Sequence, residues 1–166
     1  MARRFRGESV HKVDQKGRVS IPAAFRRVLQ DCDPEWTDGL SPNLVIVYGD
    51  STRRFLEAYS MTAMEDVDRK IEAMPRGTRE RRMLERMFSG QAAPMQVDDT
   101  GRIVLSQKMR DKIAIADEAL FIASGDTFQI WKPETYEAQA LKFEDFADEF
   151  PEGFDPLSLL DASHEG

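Results

Sequence analysis

"VDQKGRVSIP" (residues 13–22) and "VDDTGRIVLS" (residues 97–106) are two copies of one pattern, eighty-four residues apart. Each copy runs apolar residue, Asp, two polar residues, Gly, Arg, then an alternating apolar stretch. Each is followed at the same spacing by a further arginine, Arg26 in the first copy and Arg110 in the second. The chemistry of the pattern is that of a tight turn. Asp14 and Asp98 can accept hydrogen bonds from amides two residues on, and Gly17 and Gly101 supply a positive φ without steric cost. Arg18 and Arg102 then open the return segments. A doubled turn predicts a doubled supersecondary unit.

Outward from the first turn, residues 5–12 read as a strand and "RVSI" (18–21) as its hairpin partner. Pro22 opens a helix, "PAAFRRVLQ", since proline suits the first helical position. A turn-rich loop follows, and residues 44–49 and 54–59 read as a second strand pair. The second half repeats the order: "QAAPMQV", the turn, "RIVL", a helix over "SQKMRDKI", and strands over 119–125 and 126–132. Ser106 stands where the first copy has Pro22, and serine is a good N-cap, so the helix start survives. "PETYEAQALKFEDF" (133–146) reads as a further helix.

Between the halves, Val67, Ile71 and Met74, then Met83 and Met87, fall at helical spacing, with Pro75 and Gly77 breaking the run. This predicts two amphipathic connector helices whose methionine stripe is core or subunit contact. The expected division is residues 5–60, a connector over 61–88, residues 89–143, and an acidic, flexible tail over 144–166. A β unit of forty to fifty residues buries little core alone. The fold class expected is α+β, with the two repeated units packed as one pseudo-two-fold β-barrel flanked by helices.

The composition, 41% apolar and 32% charged over 166 residues, is that of an ordinary globular chain. No run approaches the ~18 consecutive apolar residues of a membrane span, and the N-terminus lacks the apolar core of a secretory signal. One cysteine, Cys32, excludes an intrachain disulfide, and with only His11 and His164 beside it no Cys/His zinc site is expected. No cofactor, metal or small-molecule substrate is implied, and the compartment expected is a reducing cytoplasm. The net charge of −7 argues against nucleic acid until its distribution is considered. Residues 1–30 hold eight basic residues against two acids, whereas residues 134–166 hold ten acids against one lysine. A segregated basic patch matters more for binding than the global sum.

With the two turns, the opening "FRG" (5–7), the long connector and "GDTFQIWKPETYE" (125–137) read together, the chain resembles the MraZ family. The first unit is similar to the swapped-hairpin DNA-binding module of the AbrB and SpoVT type. Asp14 to Arg18 and Asp98 to Arg102 match the family's Asp-x-x-x-Arg motif in each half. The resemblance covers roughly residues 5–140. It implies a bacterial, nucleoid-associated transcriptional regulator that represses its own division and cell-wall gene cluster. It further implies binding of double-stranded DNA at tandem upstream repeats, and assembly with itself into rings whose several basic faces bind avidly.

On that reading Arg18 reaches a phosphate or a guanine edge in the major groove, which admits a two-stranded ribbon. The plainer reading is that Arg18 only pairs with Asp14 to fix the turn. Arg102 carries the same two readings, with a less basic flank, since Asp99-Thr100 replaces Gln15-Lys16. Arg26 and Arg27, on the helix after the hairpin, match a DNA-facing pair in the AbrB module and are expected at phosphates, with Arg110 the second-half equivalent of Arg26. A solvated helix flank is the alternative, above all for Arg27. Lys12 and Lys16 flank the turn and suit phosphate contacts. Arg3 and Arg6 read as a flexible basic arm, although Arg6 is also open to a structural role. The arginines of residues 76–86 alternate with Glu80 and Glu85, the pattern of a salt-bridged face.

Two other classes merit weight. Asp99-Thr100-Gly101 is the tripeptide of aspartic hydrolases, whose chemistry needs two carboxylates sharing a proton. The first copy has Gln15 there, so the second carboxylate would have to come from a dimer. A swapped-hairpin antitoxin with a toxin partner is the other; such chains carry one copy of the module.

Overall fold

The computed structural model describes residues 3–139 and 152–162. The first half contributes β1 (Glu8–Lys12), β2 (Arg18–Ser20), α1 (Ala23–Asp31), β3 (Asn43–Val47) and β4 (Phe55–Ser60). The connector is α2 (Met61–Glu72) and α3 (Arg79–Glu85), the latter running into a π-helical turn over Arg86–Gly90. The second half contributes β5 (Ala92–Gln96), β6 (Arg102–Val104), α4 (Gln107–Lys112), β7 (Glu118–Ser124), β8 (Thr127–Trp131) and α5 (Pro133–Gln139). A short α6 (Ser158–Ala162) lies near the C-terminus. Residues 140–146 of the expected 133–146 helix, and much of the expected tail, lie outside the described residues.

All strand pairs are antiparallel. One sheet has the order β1-β7-β8-β4-β3-β5, and β2 and β6 form a separate two-stranded ribbon. Exchange the equivalent strands of the two halves (β1 with β5, β2 with β6, β3 with β7, β4 with β8) and this order becomes its own reverse. The repeat in sequence is therefore a repeat in topology. The expected pairing of residues 5–12 with 18–21 is not what forms. The chain does turn tightly, with the Gly17 amide bonded to the Asp14 carbonyl at 3.0 Å. Beyond the turn, however, β1 pairs with β7, from Glu8 opposite Ile122 to Lys12 opposite Glu118, while β2 pairs with β6.

The reason is burial. A three-residue strand has one inward side chain, and β2 and β6 bury theirs, Val19 and Ile103, only by facing each other across the halves. Val19, Ile21, Ile103 and Leu105 then join the inward residues of the large sheet, Leu44, Ile46, Phe121, Phe128 and Ile130, in one core. Fully burying such a side chain is worth about 1.5–3 kcal/mol. Phe5, Phe25 and Phe128 form a ring triangle with centroids 5.0–5.3 Å apart, tying the chain start and α1 to β8.

A second cluster covers the other face of β3 and β4. Val45, Val47 and Tyr59 pack there with Ala63 and Met64 of α2, backed by Met87 and Phe88. The connector methionines thus divide: Met64 is buried, whereas Met83 stays exposed. The connector's angle is held by Arg81, expected on a salt-bridged face but buried. It pairs with Glu85 as its i,i+4 spacing suggests, and its Nη1 also donates to the Met74 and Glu72 carbonyls at 2.7 and 3.4 Å. Glu72 ends α2, so its carbonyl is one the helix leaves without a partner, and Met74 lies just beyond the cap. Asp33 does similar work in the loop before β3, accepting from the amides of Glu35 and Asn43 and from the Asn43 side chain.

Candidate nucleic-acid interface

The site is built from the two turns. Asp14 Oδ1 accepts the amides of Lys16 and Arg18 at 2.9 and 2.8 Å, and Oδ2 accepts Arg18 Nε at 2.6 Å. Asp98 repeats this with a substitution of detail. Its Oδ1 accepts the Thr100 amide, the Thr100 hydroxyl and the Arg102 amide, while Arg102 Nε stands 3.5 Å from Oδ2. The hydroxyl that Lys16 lacks competes for the second carboxylate, and Arg102 Nε is left buried with no hydrogen-bond partner among the described residues. Both carboxyls are held below the usual aspartate range. The largest cause is in each case the arginine amide, Arg18 for Asp14 and Arg102 for Asp98, outweighing the smaller effect of desolvation.

The ribbon then brings the two arginines together. Arg18 lies opposite Val104 and Arg102 opposite Ser20, with the inward pair Val19–Ile103 between them. Alternation along a strand puts Arg18, Ser20, Arg102 and Val104 on one outer face. The two arginines occupy diagonal corners of it, roughly 7–8 Å apart at the backbone. One concavity is lined by Lys12, Asp14, Arg18, Ser20, Arg102, Asp117 and Glu118. Cations and carboxylates line it together. A purely phosphate-binding surface would favour cations alone, whereas groove edges present both donors and acceptors.

The other expected residues divide into three places. Lys16, at the turn tip, and Arg27, on α1, are exposed. Arg3 and Arg6 are elsewhere. Phe5 and Gly7 are bonded to Gly125 and Ala123 at the β7–β8 hairpin, and Arg3 lines a concavity beside the start of α2 with Glu65, Asp66 and Asp126. They sit beyond the opposite end of β1 from Lys12, which for Arg6 is roughly 20 Å along extended chain. Arg26 and Arg110 lie against the turns themselves. Arg110 Nε donates to the Leu105 carbonyl at 3.0 Å and its Nη1 to the Gln15 carbonyl at 3.3 Å. The Arg26 guanidinium packs on Gly101. Asp99, of the Asp-Thr-Gly tripeptide, is exposed, and Thr100 and Gly101 are engaged in the turn.

Arg26 and Arg110, both expected at phosphates, stand twelve residues after the aspartate of a turn, a spacing that does not show which turn each meets. His11, half-buried, bonds Ser9 at 2.8 Å and packs edge-on against Phe121, and burial lowers its pKa.

The chain is thus a duplicated α+β fold in which the arginines of two like turns share one face of one ribbon. The sequence model of the family described as "MraZ protein, putative antitoxin-like" matches twice, over residues 4–87 and 87–155. The chain is 62% identical over 164 residues to a protein of Ruegeria pomeroyi named transcriptional regulator MraZ, covering 98% of each chain. It is 44% identical to a protein of that name from Cereibacter sphaeroides over 168 residues, 97% of this chain and 98% of the relative. A third, from Parvibaculum lavamentivorans, is 34% identical over 139 residues, 83% of this chain and 81% of the relative. The chain belongs to the MraZ family, whose members so named are transcriptional regulators, a class distinct from enzymes. Among the described residues no helix is long and apolar enough to cross a membrane.

Proposed function

We propose that the protein is a sequence-specific DNA-binding repressor of its own division and cell-wall gene cluster, acting on tandem repeats upstream of it. The observation that carries the reading is the placement of Arg18 and Arg102 on one outer ribbon face, beside Lys12, in a concavity lined by charges of both signs. The ribbon enters the major groove, where Arg18 and Arg102 meet base edges, and Lys12, Lys16 and Arg27 meet phosphates. The residues of 5–60 and 89–143 act as two modules joined by the 61–88 connector. The ribbon and the six-stranded sheet, sharing one core, close as a pseudo-two-fold barrel of the swapped-hairpin type. The protein works in the cytoplasm on the nucleoid as a ring-like homo-oligomer, which presents several such faces to several repeats. No catalytic step or small-molecule substrate enters this reading.

The family's antitoxin-like description favours a second reading, a DNA-binding module that also holds a toxin. A toxin reading frame immediately downstream of the gene would support it.

The test is titration of duplex from upstream of the gene against a scrambled duplex at several salt concentrations. The expected result is preference for the upstream duplex, with log K falling by about 0.9 per neutralised phosphate for each unit of log salt. Absence of binding to either duplex at low salt overturns the reading.

A further inference from the structure

Arg26 and Arg110 stand at equivalent places in the two halves, and each closes over the turn of the other half. Arg110 reaches from α4 to the first turn: its Nε donates at 3.0 Å to the Leu105 carbonyl of its own half, which lies against Gly17, and its Nη1 crosses to the Gln15 carbonyl at 3.3 Å. Its Nε also lies 3.0 Å from where a Cβ on Gly17 would sit. Arg26 does the converse from α1: its guanidinium and Cδ fill the space that a Cβ on Gly101 would need. The backbone is crossed in the same sense. The Leu105 amide donates to the Gly17 carbonyl at 2.8 Å, and the Ile21 amide to the Gly101 carbonyl at 2.9 Å.

We infer that Arg26 and Arg110 are positioning residues. Each clamps the opposite half's Asp-x-x-Gly turn and so aims the arginine that follows it, Arg18 for Arg110 and Arg102 for Arg26. Neither is a phosphate contact in this assignment. Two observations argue for it. The Arg110 guanidinium, already donating to two carbonyls of its own protein, must surrender them to hold a phosphate, and the half-buried Leu105 bond is the costlier to lose. Further, the bare face of Gly101 is what admits the Arg26 guanidinium, while that of Gly17 admits the Leu105 carbonyl on which Arg110 Nε rests, so both glycines serve the clamp as well as the positive φ of 89° and 82°. The clamp makes the two turns interdependent, because each is held by the helix that follows the other.

This inference rests on the reading of Arg18 and Arg102 as DNA readers, and the experiment separates the two. Upstream and scrambled duplexes are titrated across salt with wild type, Arg18→Ala, Arg110→Ala, Arg110→Lys and Arg18→Ala/Arg110→Ala. Arg110→Lys keeps the charge and the aliphatic stem but cannot span both carbonyls. A positioning role predicts that Arg110→Ala and Arg110→Lys both lose preference for the upstream duplex, by about tenfold. The salt slope on scrambled duplex stays unchanged, and the double variant loses no more than Arg18→Ala alone. A phosphate role predicts the reverse: preference kept, slope reduced by about 0.9, and lysine restoring wild-type binding. That result overturns the inference.

Amide hydrogen exchange at Gly17 in the free protein supplies a readout independent of DNA. Faster exchange in Arg110→Lys supports the clamp even where no duplex is preferred, a case in which only the DNA reading fails. Unchanged exchange overturns the clamp.

Discussion

Asp14 and Asp98 are where the account is most local. Each carboxylate takes two amides and the charge of one arginine, and each pKa is lowered, chiefly by the arginine amide. A carboxylate whose folded pKa lies below its unfolded value of 3.8 adds stability that is complete above that value. The contribution is lost as pH falls through the lower, folded pKa. Asp14→Asn should therefore melt below wild type near about pH 6 and show a smaller fall in melting temperature on acidification through about pH 4. Parallel acid curves for the two proteins would show that the turn carboxylate carries no such linkage. These bonds were legible in the sequence because they span two to four residues, within reach of a side chain's own backbone. The partners of Arg26 and Arg110 were not, because an arginine's spacing from a turn does not say which turn it meets. The buried role of Arg81 was hidden for a similar reason: its partners are carbonyls, and any residue provides those.

At the scale of elements, helix starts and the β3–β4 and β7–β8 pairs were readable, and the partners of β1, β2, β5 and β6 were not. Ser106 caps α4 by accepting the Met109 amide at 3.2 Å, as its residue type foretells. Pro22, by contrast, stands one residue before α1 as its cap, with ψ at 138°, so the first helical residue is Ala23. The turn between β1 and β2 looks like a hairpin because hairpin turns use the same residues. Pairing is decided by what each strand buries, a long-range matter, and here each strand pairs in the other half. The two turn glycines are expected to differ in consequence. A Cβ on Gly17 meets the backbone carbonyl of Leu105, whereas on Gly101 it meets the side chain of Arg26, which can swing away. Both substitutions by alanine also carry the left-handed penalty of about 1–2 kcal/mol. Gly17→Ala should thus destabilise more than Gly101→Ala in chemical denaturation, and equal losses would count against the crossed packing of the ribbon.

The whole molecule is a duplication folded back on itself. The repeat in sequence made the two-unit plan and the α+β class legible, and the self-reversing strand order follows from it. The interleaving was not legible, since it depends on which half covers which apolar strand. The two turns that duplication created are no longer alike. Lys16 faces solvent where Thr100 holds Asp98, and Arg18 is bonded where Arg102 Nε is unsatisfied. A pseudo-symmetric ribbon with unlike corners has a direction, which suits a site with no two-fold symmetry of its own. The account stands on both corners taking part. The direct test is the preference for upstream over scrambled duplex in Arg102→Ala, measured beside Arg18→Ala at one salt concentration. Loss of preference in both, by roughly 5- to 150-fold for a contact worth about 1–3 kcal/mol, is the result predicted. Loss in Arg18→Ala alone, with Arg102→Ala matching wild type, would contradict it and leave the second turn a structural copy of the first.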